Sequence, residues 1–119
     1  MRIAFDCVGT LVNDVSGNET NQEVLSFYRE IKQNKSYSLI VWSSDFDLAR
    51  RVMSRYHLQA DRLAQKNTLD VDLALDDVPE GVTSAGSVID VTRTGWQDKA
   101  RIALKELTEK QQAKHQGGQ

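Results

Sequence analysis

The sequence predicts a single α/β domain built on a mainly parallel five-stranded sheet, and three observations predict it. Short apolar runs alternate with amphipathic stretches of helical period, the pattern of strands joined by helical crossovers. Two of the runs, Arg2-Ile3-Ala4-Phe5-Asp6 and Asp72-Leu73-Ala74-Leu75-Asp76-Asp77, stop abruptly at acids. Buried parallel strands end this way when they deliver polar groups to the sheet's C-terminal edge, where open α/β folds bind ligands. A length of 119 residues, with 39% hydrophobic and 27% charged, suits one core and not two.

The first strand runs into Cys7-Val8-Gly9-Thr10-Leu11-Val12, where Gly9 lets the backbone leave sharply and brings main-chain groups within reach of a phosphate or metal. A turn-rich segment, 13–19, follows. The next helix is expected to be capped by Thr20 with Glu23 at the reciprocal position, to bury Val24, Phe27, Tyr28 and Ile31, and to end at Asn34-Lys35. Tyr37 to Trp42 is the second strand, closing on Ser43-Ser44. The helix after it, Asp45 to Tyr56, has Ser44 and Asp47 at capping-box spacing and Leu48, Val52 and Tyr56 inward. Its other face carries Arg50, Arg51 and Arg55, which read as a solvated face rather than a binding patch.

Asp61 to Gln65 is a short third strand or extended loop leading to Lys66, and 67–71 a turn. Asp72 to Asp77 is the fourth strand, terminated by Pro79 and Gly81. Ser87 to Val91 is the fifth. Thr94 starts a last helix, with Gln97 at the box position and Trp96, Ala100, Ala103, Leu104 and Leu107 on its face. Trp96 reads either as core or as a partner contact. Residues 1–108 make the domain; from Glu109 to Gln119 the chain is polar and patternless, and a disordered tail is expected.

A net charge of −2 gives no overall basic field for nucleic acid or an anionic membrane. The single cysteine, Cys7, excludes an intramolecular disulfide and a Cys-rich zinc site. It follows Asp6 in the strand and points to the opposite side, which makes it a packing residue. Trp42 reads as core. His57 and His115 have no partner at ligand or triad spacing and receive no role. No apolar run approaches 18 residues and no charged-then-apolar leader precedes the first strand, so cytoplasmic residence is expected.

Four stretches in order, Asp6-Cys7-Val8-Gly9-Thr10, Ser43, Lys66 and Asp76-Asp77, resemble the motifs of the haloacid dehalogenase (HAD) superfamily of phosphotransferases and hydrolases. That family's first motif is an apolar strand followed by Asp-x-Asp-Gly-Thr. The resemblance runs from Met1 to about Asp90. It implies a Rossmann-like three-layer domain with helices on both faces, strand order five-four-one-two-three, and no cap domain, because the segment after the first motif is too short for one.

Carried over residue by residue, the resemblance makes Asp6 the nucleophile that forms an aspartyl phosphate. Lys66 becomes the cation that offsets phosphoryl charge and keeps Asp6 ionised. Ser43 is the hydroxyl donor to a phosphoryl oxygen, with Ser44 and Gly9 adding to the phosphate site at a strand-to-helix junction rich in free N–H groups. Asp6, the Val8 carbonyl and Asp76 are the magnesium ligands, with Asp77 an outer-shell or alternative ligand; hard oxygen donors without nearby His or Cys ligands suit Mg2+ better than zinc. Each residue also has a local reading: Ser43 as a cap, Lys66 as a surface lysine, Asp76-Asp77 as a strand-ending turn.

Val8 stands where the family keeps its second aspartate, the general acid and base. Two functions follow from the resemblance. The first is a magnesium-dependent phosphohydrolase or phosphotransferase acting through Asp6 on a phosphorylated substrate, weakened by Val8. The alternative is a catalytically impaired HAD-like module that binds metal, a phosphorylated ligand or a protein partner. Gathering three acids around one lysine is expected to raise at least one carboxylate pKa, so that Asp76→Ala stabilises the metal-free protein or leaves it unchanged.

Overall fold

The computed structural model describes residues 1–117. In chain order it comprises β1 (Arg2–Asp6), α1 (Gln22–Lys32), β2 (Ser38–Ser43), α2 (Phe46–Arg55), β3 (Arg62–Gln65), β4 (Val71–Asp76), a 3-10 turn (Pro79–Gly81), β5 (Ala85–Asp90) and α3 (Trp96–Gly117). The strands form one sheet in the order β3-β2-β1-β4-β5, with every pairing parallel. This is an α/β, Rossmann-like fold with the strand order the sequence implies. The chain steps outward from β1 to β3, then returns to the other side of β1 for β4. The switch point of the topology therefore lies between β1 and β4, and the last residues of those strands are Asp6 and Asp76.

The two faces of the sheet are covered differently. Ile3, Phe5, Leu39, Val41, Leu73 and Leu75 share one core with the inward residues of all three helices. The alternate positions Ala4, Ile40, Trp42, Ala64, Val71 and Ala74 form a second core, joined by Leu69, Val82 and Ala85 but by no helical residue. The expectation of helices on both faces is corrected here. The third layer is two crossover segments, 66–70 and 77–84, too short to hold more than the Pro79–Gly81 turn. Small side chains at Ala4 and Ala74 leave room above them for the fully buried indole of Trp42.

Helix starts differ from the expected caps for local reasons. Thr20 pairs with Val12 in an antiparallel bridge, so Asn21 becomes the cap of α1, its side chain accepting from the Val24 N–H at 3.3 Å. Asp45, not Ser44, caps α2 by accepting from the Leu48 N–H at 3.1 Å. α3 starts at Trp96, two residues after Thr94, beyond a turn in which Gly95 takes φ +80°. It continues past Glu109 to Gly117, where a disordered tail was expected; Lys, Gln, Ala and Glu are strong helix formers that extend a helix without an apolar pattern. Residues 118–119 of that expected tail lie outside the described residues. Trp96 is core, meeting Phe27 edge-on with ring centroids 5.3 Å apart. Among the described residues, no helix is long and apolar enough to cross a membrane.

Trp42→Ala tests whether the loop-covered face is a true core. Urea unfolding should show a loss of about 3–5 kcal/mol, whereas Ile102→Ala, on the exposed side of α3, should change stability by less than about 0.5 kcal/mol. A Trp42→Ala cost below about 1 kcal/mol would mean that this face is not packed.

Candidate functional site

Strand register builds the site. Asp6 lies opposite Trp42 on β2, Phe5 lies opposite Leu75 on β4, and the next step along both strands sets Asp6 beside Asp76. Alternation puts Asp6, Asp76 and Trp42 on the loop-covered face, while Cys7 packs in the helix-side core. Asp6 and Asp76 are 7% and 0% exposed. Each of Asp6, Asp76 and Asp77 offers a carboxylate oxygen, and these oxygens all lie within 4.8 Å of one another.

Lys66, the first residue after β3, reaches across to this cluster. Its Nζ is 2.7 Å from Asp76 Oδ2 and 4.0 Å from Asp6 Oδ1. Asp76 Oδ2 makes no hydrogen bond of good angle, so the Lys66 ammonium at that distance is its partner. The other oxygen, Oδ1, accepts from the Val78 N–H at 2.9 Å. The backbone N–H of Lys66 donates to the Ser43 carbonyl at 3.1 Å, which ties the lysine to the end of β2.

Two features hold the site that the sequence reading missed. Asn67, at φ +63°, donates from Nδ2 to the Gly81 carbonyl (2.9 Å) and accepts at Oδ1 from the Thr83 N–H (3.0 Å). It stitches the Lys66 segment to the segment after Asp77. Its only sequence signal is an Asn, a residue that tolerates left-handed backbone, two residues after a strand. The second is the contact of Asp77 with Gly9, a residue the sequence places at the turn and whose φ is +84°. A Cβ there would collide with the Asp77 carboxylate, so Gly9 is the seat on which Asp77 folds toward Asp6.

The turn after β1 is tight. Thr10 and Val12 N–H groups both donate to the Cys7 carbonyl, and the Leu11 N–H donates to that of Asp6. Among the described residues, no backbone N–H donates to the Val8 carbonyl, which leaves it open as a ligand. Ser43 is buried and its Oγ accepts from the Asp45 N–H at 3.0 Å; Ser44 is exposed, its carbonyl accepting from Gln65 Nε2. Neither serine hydroxyl hydrogen-bonds to the carboxylates. The structure thus brings together Asp6, Asp76, Asp77, Lys66 and Gly9, and sets Ser43 at the same edge through the Lys66 backbone.

Burial, the Asp76 carboxylate and, more weakly, Asp77 push Asp6 up to about 7, with Lys66 opposing them. Asp77 is also raised, by burial first and by Asp76. Burial alone would lower Lys66, but its close ion pair with Asp76 and the other carboxylates around it carry it above the ordinary lysine value. It is therefore a fixed cation and no base. Burial pushes the Cys7 thiol up to about 12, in keeping with a packing role.

Three carboxylates against one ammonium leave an excess of negative charge on oxygen donors. Asp6, Asp76, Asp77 and the Val8 carbonyl therefore fit a hard divalent cation such as Mg2+. Comparison with known proteins returns nothing: no family model, curated protein or solved structure matches this chain.

The expected effect of Asp76→Ala changes with this geometry. Asp76 is the best-satisfied acid of the three, and removing it leaves Lys66 without its near partner, so the variant should be less stable in the absence of metal. Asp6 is the unrelieved acid. Between its ordinary value of 3.8 and about 7, the folded state holds a proton that the unfolded chain has lost. Its contribution to stability therefore falls as pH rises through that window and levels off above it. Metal-free Asp6→Asn should lack this decline and exceed the wild type at pH 8 by up to ~4 kcal/mol in urea unfolding. A variant no more stable than wild type at that pH would place the charge strain elsewhere.

Proposed function

We propose that this chain is a capless HAD-like phosphoryl-transfer protein that uses Mg2+ and Asp6. The observation that carries the reading is the meeting of Asp6, Asp76, Asp77 and Lys66 at the β1/β4 switch point, from three separate strand ends. Such a meeting of buried acids and a lysine at the ligand-binding edge of a parallel sheet is a site arrangement more than a packing one.

In this reading Asp6 attacks phosphorus in line and becomes an aspartyl phosphate, so that one difficult transfer is divided into two. Bound Mg2+, held by Asp6, Asp76 and the Val8 carbonyl with Asp77 beside them, would neutralise charge on Asp6 and the phosphoryl oxygens. Lys66 supplies a second cation beside Asp6 and Asp76, and Ser43 a hydroxyl donor at the end of β2. Trp42, next to Asp6 in the register, keeps water off one side of the carboxylate. The substrate is a phosphorylated compound whose remainder projects into solvent, since nothing among the described residues caps this edge.

Val8 favours a second reading, a module that binds metal or a phosphorylated ligand with little turnover. An isopropyl group cannot protonate a leaving alcohol or activate water, and loss of positioned acid–base help costs ~10²–10⁴ in rate.

Two measurements test the site. Millimolar Mg2+ at constant ionic strength should raise the melting temperature by several degrees, from a linkage of ~2.7 kcal/mol at a hundred times Kd, and Asp76→Ala should remove most of the rise. Phosphoryl transfer from acetyl phosphate, to the protein or to water, should require Mg2+ and vanish in Asp6→Asn. A melting temperature indifferent to Mg2+ together with no transfer from any phosphoester or acyl phosphate would end this reading.

A further inference from the structure

Among the described residues, the surroundings of Asp6 hold one cation, Lys66, and, outside the acid cluster itself, no group placed to move a proton at the reacting phosphorus. Val8 is aliphatic and half-buried. Lys66 is a cation held at Asp76, and Asp76 is committed to Lys66 and the Val78 N–H. Thr10 is fully buried. Cys7 lies in the core on the other side of the sheet. His57 follows the C-terminal end of α2, at the edge of the sheet from which the strands start. Asp77, seated on Gly9, is one of the three clustered acids, and in the proposed site it lies beside the metal.

From this arrangement we propose that the chain accepts a phosphoryl group only from donors whose leaving group departs unprotonated, acyl phosphates and their like, and then holds it as a persistent aspartyl phosphate on Asp6. It rests on Asp6 being the nucleophile proposed above. In the first step an Asp6 carboxylate oxygen forms a bond to phosphorus, and the bond between phosphorus and the acyl oxygen breaks. The carboxylate leaves with the electron pair, and no proton moves. A phosphate monoester of an alcohol differs because its leaving oxygen needs a proton that no side chain here supplies. The second step, attack of water on the aspartyl phosphate, requires water to lose a proton as the P–O bond to Asp6 breaks. With isopropyl at position 8 that step lacks its base, and the phosphorylated chain accumulates.

Accumulation makes Asp6 a reporter as well as a nucleophile. Its phosphorylated form would place a dianion beside Lys66, which sits at 4.0 Å from Asp6 and 2.7 Å from Asp76 in the unmodified chain. A shift of that ammonium toward Asp6 would loosen its hold on Asp76, and Asn67 would pass the change to the segment around Gly81.

The test uses the full chain with Mg2+ and acetyl phosphate, followed by intact-protein mass and by phosphate release. The expected result is one phosphoryl group per chain, absent in Asp6→Asn and removed by hydroxylamine, with phosphate released far more slowly than the label is acquired. p-Nitrophenyl phosphate should label less well than acetyl phosphate per unit time, and an alkyl phosphate not at all. Val8→Asp should speed loss of the label by ~10²-fold or more and reduce its steady-state level. Rapid multiple turnover by the wild type without accumulated label would overturn persistence while upholding phosphoryl transfer; if Asp77→Asn then abolished release, Asp77 would be the missing base. No label and no released phosphate from any donor would instead remove the reading of Asp6 as nucleophile.

Discussion

The structure depends on burying the Asp6 carboxylate between Asp76 and Trp42 with one lysine to answer it. A buried carboxylate is unfavourable unless charge or hydrogen bonds compensate, and the Lys66 ammonium stands nearer to Asp76 than to Asp6. Much of the remaining architecture serves that arrangement. Asn67 fixes the segment from which Lys66 reaches in. Gly9 gives up a side chain so that Asp77 can join the cluster. Ala4 and Ala74 share the loop-covered core with the fully buried Trp42, which lies beside Asp6 in the register.

A fold that wanted only stability would not gather three acids here. Replacing buried ionic groups with apolar ones of similar size is often neutral or stabilising, and the strands on either side are already apolar. The acids are concentrated at the single place where the strand order reverses, with Asp6 pushed up by burial and by Asp76. Buried acids gathered at the edge where such sheets bind ligands are the basis for the proposed cation site.

Much of this was legible in the sequence. The strand-then-acid runs placed Asp6 and Asp76 at the sheet edge, and the resemblance brought Lys66, after a segment read as a short strand or extended loop, to the same place. What was not legible depended on details of length and backbone conformation. The crossovers 66–70 and 77–84 look like ordinary turns, and only the structure shows that they replace a helical layer. Thr20 and Ser44 carry good capping chemistry, yet Thr20 is taken up by its bridge to Val12 and Asp45 outcompetes Ser44 by one position. The end of α3 was missed because a helix of Lys, Glu, Gln and Ala needs no apolar stripe. Asn67 and the seat of Asp77 on Gly9 were missed because a left-handed residue and a close approach leave little mark on pattern or composition.

The central claim, that these acids form a cation site, is tested most directly by diffraction from crystals soaked in Mn2+, a stand-in for Mg2+ with an anomalous signal. The account predicts an anomalous peak bonded to oxygens of Asp6 and Asp76, with the Lys66 ammonium displaced from Asp76 toward Asp6. No peak at millimolar Mn2+, with Lys66 still paired to Asp76 and the Asp6 carboxylate turned away, would contradict it.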